Sequence, residues 1–165
     1  LRSRMVKFGL ELEENKSRIV ESGRYLASLK AKRGESTRLG TFDFLGFTFY
    51  CGRTTKGNPW IMPKTSSKKF RQKVKEIKIW LYNNKEQKLG KLMYMLNVKL
   101  VGHYRYYGIS FNSRMISNYK QQVRELLYKV LNRRSEKKSY TREGFIEMMK
   151  YYKLVNPKIY YSLFC

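Results

Sequence analysis

The sequence has few acidic residues, prolines or cysteines. Its 165 residues include 12 Asp+Glu against 36 Lys+Arg, for a formal net charge of +24, with only 3 Pro and 2 Cys. Cys51 and Cys165 lie in unrelated surroundings, so the sequence predicts neither a disulfide nor a cysteine-ligated metal site. The excess of cations predicts a polyanionic partner, and nucleic acid is the first candidate.

Long apolar runs are also absent. No stretch approaches the roughly 20 apolar residues that a transmembrane helix needs, and residues 1–4 lack the apolar segment of a signal peptide. We therefore expect a soluble, intracellular protein with no membrane partner. A hydrophobic content of 42%, with 14 Tyr and 9 Phe, suffices for one ordinary domain or two small ones.

Catalytic side chains are scarce. Asp43 is the only aspartate and His103 the only histidine, so a two-metal carboxylate site would need several glutamates. Glu13 and Glu14 form an adjacent acidic pair, but beside a turn such a pair is usually solvated. The segment 52–57 is glycine-rich but lacks the Gly-Lys-Ser/Thr ending of a phosphate loop, so it is better read as a turn. We predict no catalytic residue and no metal ligand.

The first 63 residues have the patterns of short strands. A short helix-like start precedes two predicted strands, at 8–12 and 16–20, and the polar segment 23–40 reads as an exposed loop. The aromatic segment 42–49 predicts a strand, and a turn connects it to a second strand at 59–63. Prolines assign this last strand to a sheet edge.

The aromatic strand is expected to be structural. We predict that it is covered by a helix, which buries four of its side chains: Phe44, Leu45, Phe47 and Phe49.

From Ser66 the apolar period changes to about 3.6 residues, which indicates helices. Thr65, Ser66 or Ser67 could cap the first of them. The apolar stripes predict three long helices and a shorter one from Thr141 to about Tyr152, packed as a bundle. Their members are Phe70, Val74, Ile77 and Leu81; then Leu89, Leu92, Met93, Leu96 and Leu100; then Met115, Tyr119, Val123, Leu126, Leu127 and Val130.

The lysines and arginines of these helices outnumber nearby acids, and phosphates would neutralise them. Tyr106 and its neighbours could also stack on bases or sugars, although Tyr104 and Tyr107 equally continue an apolar stripe and read as core. The candidate RNA contacts are Lys16, Lys68, Lys69, Arg71, Lys73, Lys99, Arg105, Tyr106, Arg133 and Arg134.

Three segments, in this order, resemble group II intron reverse transcriptases, also called maturases. Residues 8–20, with Gly9-Leu10 and Lys16-Ser17, look like the late palm of that family, and the Phe-Leu-Gly-Phe run at 44–47 looks like its last palm block. Residues 96–107 are similar to the thumb or maturase helix, in which Gly102, Tyr106 and Tyr107 match while His103 stands where the family usually has Trp.

The resemblance implies an α+β fold: the end of a reverse-transcriptase palm, with short antiparallel strands and a hairpin, followed by a helical-bundle thumb. It places the palm part at residues 1–63 and the thumb, or maturase X domain, at 64–165. Such a thumb grips the duplex of RNA template and DNA primer and holds intron RNA for splicing. The missing fingers and palm, with their Tyr-Ala-Asp-Asp block, would be a further partner.

The same resemblance implies no cofactor in this chain itself, Mg²⁺ for the complete polymerase, and the cytoplasm of a bacterium, with an organelle matrix as the alternative. Without the catalytic aspartates this chain is expected to be inactive alone. Two other readings stay open: a freestanding basic RNA-binding protein with no polymerase role, and a complete enzyme that uses glutamates.

Overall fold

The computed structural model describes residues 2–11, 20, 24–34, 39–134 and 140–163 of the chain. Within these ranges the elements are α1 (Arg2–Val6), α2 (Arg24–Lys32), β1 (Phe42–Phe44), β2 (Phe47–Arg53), β3 (Pro59–Thr65), α3 (Ser67–Asn83), α4 (Leu89–Tyr107), α5 (Ser113–Asn132) and α6 (Arg142–Tyr151). A small antiparallel sheet followed by helices confirms the α+β prediction. None of the helices in the described ranges is long and apolar enough to span a membrane.

The chain forms two compact units. One comprises Leu1–Phe42 and Tyr50–Ile61, and the other comprises Asp43–Phe49 and Met62–Cys165. The boundary between palm and thumb at residues 63 and 64 stays a prediction from the resemblance.

Part of the predicted N-terminal strand is the end of a helix. Gly9 has a φ of +68°, and the amides of Gly9 and Leu10 donate to the carbonyls of Val6 and Met5 at 3.0 and 3.1 Å. This is the Schellman arrangement that closes α1. The amides that a strand would pair are used by the cap, so the strand prediction is wrong for residues 8–11. The second predicted strand, except Val20, and the candidate contact Lys16 lie outside the described residues.

The segment predicted as an exposed loop contains a helix. Within residues 23–40, α2 runs from Arg24 to Lys32, and Gly34, with a φ of +67°, follows its end. Leucine, alanine and lysine supply helix propensity here without a clean apolar stripe. Periodicity alone therefore missed this helix.

The three strands pair in the order β1-β2-β3, which places the proline-containing β3 at an edge as predicted. Leu45 and Gly46 have φ values of 48° and 80°, and two consecutive positive values are typical of a type I′ hairpin turn. The aromatic segment is therefore two strands joined by a tight turn, where the sequence predicted one.

The burial prediction for this segment is half wrong. Phe44 and Leu45 are 59% and 67% exposed because they lie at and beside the turn. Phe47 is half-buried and packs against the helical core, with its ring centroid 5.3 Å from that of Tyr107. Phe49 is also half-buried.

Helices α3 to α6 form the predicted bundle and bury their apolar stripes together. The Ser66 hydroxyl accepts from the Lys69 amide at the start of α3, which confirms the predicted cap, and Thr141 caps α6 in the same way. Both α3 and α4 pack on α5. The fully buried side chains at the centre of the core include Leu81, Leu92, Leu96, Leu100, Tyr104, Val123 and Leu127.

Asn112, just before α5, ties three elements together and is fully buried. Its Oδ1 accepts from the Thr65 amide at 2.8 Å, and its Nδ2 donates to the Tyr107 carbonyl at 2.8 Å and to the Thr65 hydroxyl at 2.9 Å. The end of β3, the end of α4 and the start of α5 are thereby held in register.

The segment that follows α6 runs along α4. Asn97 donates to the Lys153 carbonyl and accepts from the Val155 amide, both at 2.9 Å. Gly108 accepts from the Tyr160 amide at 2.7 Å, and a Cβ there would lie 2.5 Å from the Lys158 carbonyl oxygen. Only glycine allows the backbone to approach so closely at this point.

Candidate nucleic-acid interface

A groove with a volume of about 620 Å³ opens between α3 and α4. The α3 wall carries Lys69, Lys73, Glu76, Ile77 and Trp80; the α4 wall carries Lys99, Gly102, His103, Tyr106 and Tyr107; and Leu45, Gly46 and Tyr119 complete the lining. All of these residues belong to the second compact unit. We call this the α3–α4 groove.

Three lysines and one carboxylate set the charge of the groove. The Lys73 ammonium donates to Glu76 at 2.8 Å, and Gln72 donates to the same carboxylate. The hydrogen bond between Lys73 and Glu76 raises the pKa of Lys73 and lowers the pKa of Glu76, so both side chains are charged at neutral pH. Lys69 and Lys99 have no carboxylate partner among the described residues, and the groove is therefore net cationic.

Aromatic rings form much of the remaining surface. Tyr106 is 55% exposed and stacks on Phe47 with a centroid distance of 6.0 Å. The ammonium of Lys99, also on α4, lies 5.0 Å from the centroid of the Trp80 ring on the α3 wall. This distance is within the range of a cation–π interaction.

The hairpin turn is attached to both walls. The Tyr106 hydroxyl donates to the Leu45 carbonyl at 2.9 Å, and the Ser66 amide donates to the Gly46 carbonyl at 2.9 Å. A Cβ at Gly46 would lie 3.2 Å from the Tyr107 hydroxyl, so a glycine suits both the positive φ and the close packing. The aromatic segment thus shapes one end of the groove.

His103 lies beneath the groove as a packed aromatic ring. It is buried, stacks on Tyr119 at a centroid distance of 3.7 Å and contacts the Tyr107 ring at 4.7 Å. Burial, reinforced by the nearby Lys73 charge, lowers the pKa of His103 to about 4. The imidazole is therefore neutral at pH 7.

This shift predicts that acid destabilises the fold. A histidine with an ordinary pKa of 6.5 when unfolded and about 4 when folded binds its proton mainly in the unfolded state between those values. Lowering the pH from 7 to 5 should therefore reduce the free energy of unfolding by about 2 kcal/mol. Urea unfolding at the two pH values measures this difference.

His103→Phe is the control for this prediction, because His103 is the only histidine in the chain. The variant should lose the dependence of stability on pH over this interval, since the carboxylates titrate mostly below it. Parent stability that is equal at pH 7 and pH 5 would contradict the assigned burial of the imidazole.

The groove brings together four of the ten candidate contacts: Lys69, Lys73, Lys99 and Tyr106. Lys68, Arg71 and Arg105 are exposed but do not line it. Arg133, which follows α5, lies over the ring of Tyr82 near the end of α3, and Arg134 donates to the carbonyl of Glu86 in the segment between α3 and α4. Tyr104 and Tyr107 are buried, in agreement with their reading as core.

Sequence reasoning missed Trp80, Glu76 and the groove itself. The sequence held part of the signal, because Lys69, Lys73, Glu76 and Trp80 recur every three or four residues and share one face of α3.

Within the described ranges, no three His, Cys, Asp or Glu side chains are close enough to hold a metal ion.

The family model of the group II intron maturase-specific domain matches residues 67–152. This match covers more than half of the chain, begins at the first residue of α3 and ends one residue after α6. The chain belongs to this family. No curated protein and no solved structure matches it significantly.

Membership confirms the resemblance that the sequence suggested and shows that the chain contains a group II intron maturase-specific domain. The maturase-specific domain here is the four-helix region, and the α3–α4 groove lies mostly within it. His103 lies within the matched residues as a neutral ring stacked on Tyr119.

Proposed function

We propose that the maturase-specific domain binds intron RNA along the α3–α4 groove, through the phosphates of the RNA backbone. The observation that carries the proposal is the convergence of Lys69, Lys73 and Lys99 on one groove that holds a single carboxylate. Phosphate neutralisation by such cations supplies most of the affinity of non-specific nucleic-acid binding.

The shape of the surface supports an A-form duplex as the ligand. Double-stranded RNA is recognised mostly by its shape, its phosphates and its 2′-hydroxyls. The flanks of two helices, α3 and α4, offer lysine side chains for phosphates and the polar end of Tyr106 for 2′-hydroxyls in one region. A hybrid of RNA template and DNA primer should bind in the same way, which is the grip that the resemblance implies for a thumb.

The wider setting extends this proposal. The domain would work with the fingers and palm of a reverse transcriptase, and Mg²⁺ would serve the polymerase site of that larger protein. The protein would act in the cytoplasm of a bacterium. The family match favours this reading over a freestanding basic protein.

Reversing two charges on α3 tests the site. Lys69 and Lys73 lie one turn apart on the same flank. The double variant Lys69→Glu/Lys73→Glu should weaken binding of an RNA hairpin at least about tenfold at equal salt, because each change replaces a phosphate contact with a repulsion. Dissociation constants from filter binding or fluorescence anisotropy measure the change.

The matched control is Lys75→Glu/Lys78→Glu, which changes the charge equally on the same helix. Lys75 and Lys78 are exposed and do not line the groove. Their reversal should reduce RNA affinity clearly less than reversal of the groove pair, and it should not change stability by more than about 0.5 kcal/mol. Thermal melting establishes that the groove variant, which also loses the ion pair between Lys73 and Glu76, is folded. Equal losses in the two variants would mean that the groove has no special role.

A further inference from the structure

We infer that the α3–α4 groove accepts one unpaired nucleotide of the bound RNA, with its base inside the groove and its phosphate at the lysines. This inference rests on the proposed function, because it names the feature of the RNA that the same site selects. It goes beyond phosphate binding, which does not distinguish paired from unpaired RNA.

The size of the groove fits a single nucleotide. A volume of about 620 Å³ lies in the range of sites that enclose small molecules. A duplex cannot enter such a space and can only contact its rim. The interior is therefore available to a group that leaves the duplex.

The aromatic lining of the groove suits a base. Trp80 and Tyr106 are partly or fully exposed on its two walls, while the rings of His103 and Tyr119 are stacked on each other. The Glu76 carboxylate, paired with Lys73, adds a hydrogen-bond acceptor. A base can stack on aromatic side chains, and its amino groups can donate to a carboxylate oxygen.

Gly102 keeps the space open. It lies on α4 between Lys99 and Tyr106, and a Cβ added there would meet no atom within 4 Å. A glycine in a helix interior is less favourable for stability than an alanine. No packing contact around Gly102 offsets this cost, which fits a position where a ligand approaches the backbone.

The position of the cations then fixes the orientation of the nucleotide. Lys69 is next to the hairpin turn, where its Cγ lies 3.5 Å from the place of a Gly46 Cβ, and Lys99 covers the Trp80 ring. Both ammonium groups are free of carboxylate partners in the described part of the chain. A base that stacks on Trp80 would replace the Lys99 ammonium over the ring and release it to a phosphate.

The first test compares two RNA hairpins that differ by one unpaired adenine in the stem. The chain contains two tryptophans, Trp60 and Trp80, so Trp60→Phe leaves Trp80 as the sole tryptophan reporter. In that protein the bulged hairpin should bind about tenfold more tightly than the paired one, as expected for one stacked base. It should also quench Trp80 fluorescence more strongly at saturation.

The second test blocks the groove without changing its charge. Gly102→Leu directs a side chain into the open space, so the ratio of the two affinities should fall to about one. Val98→Leu is the matched control, because Val98 is 51% exposed on α4 and does not line the groove, and it should keep the preference of about tenfold. Thermal melting establishes whether each variant is folded. If Gly102→Leu does not fold, the quenching of Trp80 fluorescence by the two hairpins decides whether the base enters the groove.

The outcomes separate this inference from the function on which it rests. Equal affinity for the two hairpins, with equal quenching of Trp80, would overturn the nucleotide site and leave phosphate binding intact. Failure to bind either hairpin at low salt would overturn the proposed function itself. A preference that survives Gly102→Leu in a folded protein would also overturn the inference, because the base would then lie elsewhere.

Discussion

RNA affinity of the maturase-specific domain should fall about a thousandfold when salt is raised from 50 to 200 mM, if about six phosphates are contacted. The physical reason is the release of counterions from the RNA when lysines neutralise its phosphates. The chain carries a formal net charge of +24, and Lys69, Lys73 and Lys99 face one groove. A titration of dissociation constants at several salt concentrations gives the slope.

The slope also reports how many contacts the groove supplies. Lys69→Glu/Lys73→Glu should reduce the slope by about two units on a logarithmic plot, because two phosphate contacts are lost. An affinity that barely changes over the whole salt range would rule out phosphate-dominated binding. An unchanged slope in the double variant would move the contacts to another surface.

The helical region could be predicted from sequence because its apolar residues repeat at the helical period over long segments. The stripe from Phe70 to Leu81 and the stripe through Leu92, Leu96 and Leu100 are buried in the bundle, as periodicity requires. Ser66 could be predicted as a cap because a hydroxyl side chain directly before a helical apolar stripe is a local signal in the sequence.

The N-terminal part resisted prediction because its signals are short and compete with one another. Gly9 and Leu10 read as a strand, but hydrogen bonds within a few residues make a helix cap. The Leu45-Gly46 pair reads as the middle of a strand, yet two positive φ values form a turn there. In both places a glycine permits a local conformation that overrides the apolar alternation.

The groove was predictable only in part. Lys69 and Lys73 could be placed on one flank of a helix from their spacing alone. The approach of Lys99 to Trp80, and of Tyr106 to the Leu45 carbonyl, depends on how separate elements pack. No spacing rule carries that information, so the wall formed by α4 became visible only in the folded chain.

Asn112 illustrates the same limit, and its replacement should have the largest effect on stability among the changes considered. Asn112→Ala should lower the free energy of unfolding by about 3 kcal/mol, because the buried Thr65 amide and hydroxyl would lose their Asn112 partners and the Tyr107 carbonyl would keep only its hydrogen bond from the Ile109 amide. Urea or thermal unfolding followed by circular dichroism measures the loss.

Asn118→Ala provides the control, because Asn118 is exposed on α5, the helix that Asn112 precedes, and its change should leave stability within about 0.5 kcal/mol. Since Asn112 joins β3 to the ends of α4 and α5, its loss should also loosen the α4 wall of the groove. We therefore expect RNA affinity to fall in Asn112→Ala even at temperatures where the protein is still folded. A stability loss no larger than that of Asn118→Ala would show that the buried hydrogen bonds of Asn112 do not hold these elements together.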